Sequence, residues 1–220
     1  MASESGKIFA IGDIHGSYNK LHNLLDRLPY TKGRDRLVFL GDYLDRGPDS
    51  AKVLDLLCEM KERDDSIVTL LGNHEYLLLE YYRSGDPLLL PYLRGMGLDA
   101  TLDSYGTDRN VNLQSLNFLP KEHLDFLLAL VPYWESPHYI FVHAGLDPNI
   151  PLAANDLTTL CEVRDTFIRL DHDFGKKVIF GHTPFELPFV TATKIGIDTG
   201  AMYDNLLTAL QLPDEIFFHA

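Results

Sequence analysis

Short apolar runs recur along this chain, and several end abruptly in a glycine turn that carries Asp, Asn or His. Lys7-Ile8-Phe9-Ala10-Ile11 leads into Gly12-Asp13-Ile14-His15-Gly16. Leu37-Val38-Phe39-Leu40 leads into Gly41-Asp42-Tyr43-Leu44-Asp45-Arg46-Gly47, and Ile67-Val68-Thr69-Leu70-Leu71 into Gly72-Asn73-His74-Glu75. Runs this short, bounded by turn residues, read as buried strands. The segments between them carry a helical period. Leu21, Leu24, Leu25 and Leu28 share one face of a helix from about Tyr18 to Leu28, with Ser17 as N-cap and Pro29 as terminator. Ala51 to Arg63 and Tyr76 to Tyr82 read as two further helices. The order βαβαβα predicts parallel strands with helical crossovers, a layout that gathers strand-end loops at one edge.

From Gly85 to Val131 the pattern changes to leucine-rich, proline-broken segments with few β-branched residues. These predict short helices, including Lys121 to Leu130. The insertion either shapes access to a site or serves packing. Leu88-Leu89-Leu90 and Tyr92 read as core. Strands resume at Tyr139-Ile140-Phe141-Val142, before His143-Ala144-Gly145, and at Lys177-Val178-Ile179-Phe180, before Gly181-His182-Thr183-Pro184. The remaining apolar stretches, Phe189-Val190, Thr193 to Ile197, Asn205 to Leu210 and Ile216 to Phe218, predict antiparallel strands turning at Gly196 and at Asp204-Asn205.

Composition narrows the classes. The 220 residues suit one domain with a substantial core, and no linker divides them. A formal net charge of -13 argues against a nucleic-acid partner. No apolar run approaches the roughly 20 residues that span a bilayer. The start, Met1-Ala2-Ser3-Glu4-Ser5-Gly6, lacks the basic-then-apolar order of an export signal, so a cytoplasmic location without a membrane partner is expected. Two cysteines, Cys58 and Cys161, make neither a disulfide framework nor a zinc cluster and read as core residues.

The histidines carry the chemistry. Of nine, four (His15, His74, His143 and His182) stand just after an apolar strand beside a glycine turn, with Asp13, Asp42 and Asn73 in matching places. A one-residue gap in extended chain would put Asp13 and His15 on one side. Turn preference explains one such residue, not four. Imidazole, carboxylate and amide oxygen together suit borderline divalent ions such as manganese, iron and zinc, and the absence of thiolate excludes a closed structural zinc site. Asp42, on the strand between the other two, is the natural bridge for two ions about 3.5–4 Å apart.

These five stretches, in this order, resemble the signature set of the phosphoprotein phosphatase family of metallo-dependent serine/threonine phosphatases, and the short chain is similar to its small bacterial and phage branch. The resemblance covers residues 12 to 184. It implies an α/β, calcineurin-like metallophosphatase fold: a β-sandwich of two mixed sheets flanked by helices, with ligands on strand-end loops. It implies two divalent cations, manganese first, with iron or zinc as alternatives. Asp13 and His15 would hold one, Asn73, His143 and His182 the other, and Asp42 both. His74, held by Asp45, would be the general acid, and Arg46 and Arg164 would bind phosphate. Glu162 stands where bacterial relatives often carry an aromatic, which weakens the Arg164 match. The implied reaction is hydrolysis of a phosphorylated protein (phosphoserine or phosphothreonine, with phosphotyrosine also open) or a small phosphomonoester. It would proceed by direct attack of a hydroxide bridging the ions, with no phosphoenzyme.

Two other readings compete. Symmetrical dinucleoside tetraphosphate hydrolases share three of the motifs but tend to lack the aspartate matching Asp45 and to read Asn-His-Asp. On that comparison Asp45 and Glu75 favour a monoesterase, because a poor leaving group needs a tuned acid. A non-catalytic binding module on the same scaffold would be expected to have lost a ligand, and none is missing here.

Overall fold

The computed structural model describes residues 6–220; the reading of the first five residues falls outside them. Three parallel strands come first, β1 (Ile8–Ile11), β2 (Arg36–Phe39) and β3 (Ile67–Thr69). They alternate with α1 (Tyr18–Arg27), α2 (Ser50–Arg63) and α3 (Asn73–Ser84). The insertion folds into α4 (Leu89–Met96), α5 (Leu98–Ser104) and α6 (Lys121–Leu128). Then follow β4 (Tyr133–Glu135), β5 (Tyr139–Val142), α7 (Leu157–Glu162), α8 (Asp165–Ile168), β6 (Lys177–Phe180), β7 (Phe189–Val190), β8 (Lys194–Gly196), β9 (Thr208–Leu212) and β10 (Ile216–His219).

Two five-stranded mixed sheets result, in the orders β10-β9-β1-β2-β3 and β4-β5-β6-β8-β7. In the first, β1 pairs in parallel with β2 and antiparallel with β9. In the second, β6 lies parallel to both β5 and β8. Side-chain alternation explains why the sheets stack. Ala10, Val38, Leu40, Phe141, Ile179, Ile195 and Leu210 form one buried cluster. Their strand neighbours Phe9, Ile11, Leu37, Phe39, Val178 and Phe180 join a second cluster with Leu21, Leu24, Val53 and Leu57 of the helices. Each strand thus feeds an inter-sheet layer with one face and a helix layer with the other. The fold is the expected α/β calcineurin-like sandwich, with two mixed sheets and flanking helices.

Four expectations change. Gly196 is not a turn: it lies inside β8, where a Cβ would stand 2.7 Å from the Phe180 ring. β8 and β9 consequently belong to different sheets, and the chain crosses between them through residues 197–207. Leu88 and Tyr92 are not core. They are 72% and 68% exposed, while Leu93 is buried, because residues four apart share a face and this pair lies on the outward one. Asp13 and His15 do both face the site, but not through extended chain: His15 has φ +46°. Cys58 is only half-buried, whereas Cys161 is fully buried. No helix among the described residues is long and apolar enough to cross a membrane.

Candidate metal centre

Strand order decides what can meet. β2 lies between β1 and β3, so the loops after these three strands are neighbours. Backbone N–H groups of Ile14 and His15 donate to the Asp42 carbonyl at 3.0 and 2.8 Å. The β5 and β6 ends face them from the second sheet: Gly181 N–H donates to the His143 carbonyl at 2.7 Å. The loops pay in backbone strain. His15, Asp42, Asp45, Arg46 and His182 all adopt positive φ, five of the eight non-glycine residues that do so among those described. Strain of this kind persists only where surrounding structure holds it, and it gathers at functional sites. Gly72 shows why some positions admit no side chain. A Cβ there would lie 2.2 Å from Asp42 Oδ1.

The expected ligands converge. His143 Nδ1–H donates to the Leu40 carbonyl at 2.8 Å, which leaves Nε2 as a lone pair. That lone pair faces Asn73 Oδ1 at 3.1 Å and Asp42 Oδ1 at 3.4 Å. His182 Nδ1 lies 2.9 Å from the same Asn73 oxygen, and its buried Nε2 has no partner among the described residues. His15 repeats the arrangement. Its Nδ1–H donates to the Leu44 carbonyl at 2.9 Å, and Nε2 lies 3.4 Å from Asp42 Oδ2. Acceptors facing acceptors in a buried space call for a cation between them. Two groups could each hold one: Asp42, His143 and His182, and His15, Asp42 and His74. Asp42 belongs to both, as a bridge must.

Electrostatics agree. Burial lowers His15 and His182 to about 3 and also lowers His143, so all three are neutral at neutral pH, as imidazole ligands must be. His74 goes the other way. Burial opposes its charge, but Asp42 and the Asp45 hydrogen bond raise its pKa above the usual histidine value. Asp45 Oδ2 accepts from His74 Nδ1–H at 2.7 Å, leaving His74 Nε2 buried, without a hydrogen-bond partner among the described residues and 3.9 Å from Asp42. Asp13 belongs to neither group of three. Its carboxylate accepts the His182 backbone N–H at 3.0 and 3.2 Å. Burial, then Asp198 and Asp42, push its pKa well up, against the opposing pull of the His182 backbone N–H and the Arg46 guanidinium.

Both arginines border the site. Arg46 Nη1 donates to His15 Nε2 at 2.8 Å, so a cation on His15 requires the guanidinium to release it. Arg164 is exposed at the start of α8 and forms no ion pair among the described residues; its positive charge reaches His143 and His182.

Sequence reading gave one supporting residue, Glu75, the wrong meaning and missed two more, Asp198 and Thr101. Glu75 Oε1 and Oε2 accept the backbone N–H groups of Asp42, Tyr43 and Leu44 at 2.9–3.1 Å, so Glu75 clamps the turn that presents Asp42. Asp198 is buried at the end of β8, and burial raises its pKa to about 6. Its signal was present, since Ile195-Gly196-Ile197-Asp198-Thr199-Gly200 repeats the apolar-run, acid, glycine pattern. Thr101, from the insertion, had no local signal. Its hydroxyl donates to Asp45 Oδ1 at 2.7 Å and accepts the Asp45 backbone N–H at 2.8 Å. With Arg46 N–H on the Gly97 carbonyl at 3.3 Å, the insertion braces the Asp45-Arg46 turn. Thr101→Val strips a buried carboxylate oxygen of its donor and is expected to cost about 1–3 kcal/mol of stability. A denaturant or thermal melt reads this directly; an unchanged midpoint would place the hydroxyl outside the network.

Known proteins fit this geometry. The profile of calcineurin-like phosphoesterases matches residues 6–200. The asymmetrical bis(5'-nucleosyl)-tetraphosphatase PrpE of Oceanobacillus iheyensis is 28% identical over 96% of this chain and 90% of its own length. A symmetrical bis(5'-nucleosyl)-tetraphosphatase of Nitrosospira multiformis is 34% identical, over 64% of this chain and 44% of its own. A solved structure provisionally described as a diadenosine tetraphosphatase superposes with a TM-score of 0.74 at 22% identity, covering 100% of this chain and 95% of its own. The narrower likeness to a phage branch finds no support among these relatives. Profile, sandwich and the convergence of residues that could hold metal agree: this chain belongs to the calcineurin-like phosphoesterase family and is a metal-dependent phosphoesterase.

Proposed function

We propose that this chain hydrolyses dinucleoside polyphosphates, bis(5'-nucleosyl) tetraphosphates above all, at a site holding two divalent cations. The observation that carries the hydrolytic part of the reading is the division among the four strand-end histidines. Three are neutral with ring nitrogens turned toward Asp42 or Asn73, and one, His74, is tuned toward its protonated form by Asp42 and Asp45. Asp13, His15, Asp42, Asn73, His143 and His182 would hold the ions, manganese being the first to try and iron or zinc the next. Bound there, divalent cations would supply Lewis acidity, neutralising phosphoryl charge and lowering the pKa of the attacking water. Arg46 and Arg164 would take phosphoryl oxygens, which a planar guanidinium matches well. His74, with its Nδ1–H on Asp45, would give the Nε2 proton to the departing oxygen.

The substrate class rests on the relatives that run along nearly the whole chain, all named as tetraphosphatases. Glu75 no longer argues against it. Its three backbone hydrogen bonds explain its presence without reference to a substrate. A phosphomonoesterase acting on phosphoserine, phosphothreonine or phosphotyrosine keeps one specific support, the 2.7 Å Asp45–His74 hydrogen bond. A tuned acid gains most where the leaving group is a poor alkoxide.

Side-by-side assays decide between them. The manganese-loaded protein is expected to cleave diadenosine tetraphosphate at least tenfold more efficiently than phosphopeptides, and chromatography of the products tells AMP plus ATP from two ADP. Faster cleavage of the phosphopeptides would reverse the order of the two readings.

A further inference from the structure

Tyr203 turns a large aromatic ring to solvent beside Arg46. It is 61% exposed, yet the Arg46 guanidinium lies 5.6 Å from its ring centre. The segment carrying it is tied down on several sides. Lys20 Nζ donates to the Ala201 and Asn205 carbonyls, each at 2.6 Å. Ser17 Oγ–H donates to Met202 Sδ at 2.8 Å, and Asn205 Nδ2–H to the Glu186 carbonyl at 3.0 Å. Thr199 Oγ1–H donates to the Leu206 carbonyl at 2.6 Å. A large exposed ring on a tethered loop is a pre-organised surface, and ordering it costs a ligand little.

The geometry points to Tyr203 as the nucleobase platform of this site. The inference deepens the dinucleotide reading above and rests on it for the substrate class. Arg46 stands between His15 and the Tyr203 ring, and once a cation displaces its guanidinium from His15 it remains beside both the reacting centre and the platform. A phosphate held by the Arg46 guanidinium, whose carbon lies 5.6 Å from the ring centre, has the ring as its neighbour. In a dinucleoside tetraphosphate, the phosphate next to a nucleoside is separated from its base by one ribose. The inner phosphates are further away. Stacking on Tyr203 therefore favours attack at the outer phosphate, yielding a nucleoside monophosphate and a nucleoside triphosphate. Stacking also tolerates any base, because every base has a π-face.

The test uses product-type inhibitors, so that it does not depend on which substrate is natural. With the manganese-loaded full chain turning over an aryl phosphate, inhibition by AMP is compared with inhibition by ribose 5-phosphate. AMP is expected to inhibit about 5- to 10-fold more tightly, the lower end of what a base gains on an aromatic ring. The ratio should fall to about one in Tyr203→Ala and survive in Tyr203→Phe. Equal inhibition by the two compounds in the parent chain, or an AMP advantage that persists in Tyr203→Ala, overturns the proposal. An AMP advantage lost in Tyr203→Ala upholds it, even in a chain that fails to cleave diadenosine tetraphosphate; that failure counts against the substrate reading alone. The platform also predicts AMP and ATP, not ADP, from the parent chain.

Discussion

His74→Asn is expected to slow turnover about 100- to 10,000-fold on substrates with poor leaving groups, and much less on anhydrides or aryl phosphates. Asparagine removes the dissociable proton while keeping a polar group of similar reach. Two roles compete for His74. Its Asp45-bound Nδ1 and free Nε2 are also the pattern of a ligand steadied by a carboxylate behind it, and it falls within one of the two possible cation groups. The contact with Asp45 favours the acid: a carboxylate accepting the Nδ1–H at 2.7 Å stabilises the charged ring without drawing on Asp42, and a ring that favours protonation is a poor ligand and a good acid. As an acid, His74 leaves metal content unchanged when replaced, and the rate loss grows with leaving-group pKa. Loss of a cation, or equal losses on alkyl and aryl phosphates, would make it a ligand or a structural residue instead.

Removing the cations with a chelator is the second large effect. Glu75, pushed up to about 8 by burial and then by Asp42, and Asp198, at about 6, lie far above the ordinary carboxylate value near 4. For such groups the stabilising protonated form is complete below the unfolded pKa and is lost as pH rises through the folded one. His74, also raised, acts in the same sense. His15 and His182, lowered to about 3, act oppositely, but only below the unfolded histidine value near 6.5. Above about pH 6.5 the carboxylates and His74 act alone. The chelated protein should lose melting temperature between about pH 6.5 and 8.5. Manganese at about 100-fold over the dissociation constants of both sites should restore roughly 10–20 °C at the upper end. A melting temperature that rises over that interval in chelator would contradict the crowded-carboxylate picture.

Much of the candidate site could be read from the chain because its residues follow strands. Short continuous apolar runs mark the strands, and parallel crossovers bring their ends together, so Asp13, His15, Asp42, Asn73, His143 and His182 could be grouped before any coordinates. Asp198 escaped because reading Gly196 as a turn ended the Thr193 to Ile197 strand before it reached the site. Lys194 of that strand is buried, and its ammonium donates to the carbonyls of Phe167 and Ile168 at 2.7 and 3.0 Å, which no local pattern foretells. Thr101 reaches Asp45 across 56 positions, a contact made only by tertiary packing. Glu75 was visible but given the wrong meaning: a residue that clamps backbone looks, in sequence, like one that selects substrate. Leu88 and Tyr92 show the limit of composition, since apolar identity alone does not say which face of a short helix turns inward.

The most direct test counts cations. Titration of the chelated full chain with manganese, followed by calorimetry, should saturate at two per chain, and Asp42→Asn should hold fewer than two. Saturation at one, no uptake, or two cations retained in Asp42→Asn would contradict a centre bridged by Asp42.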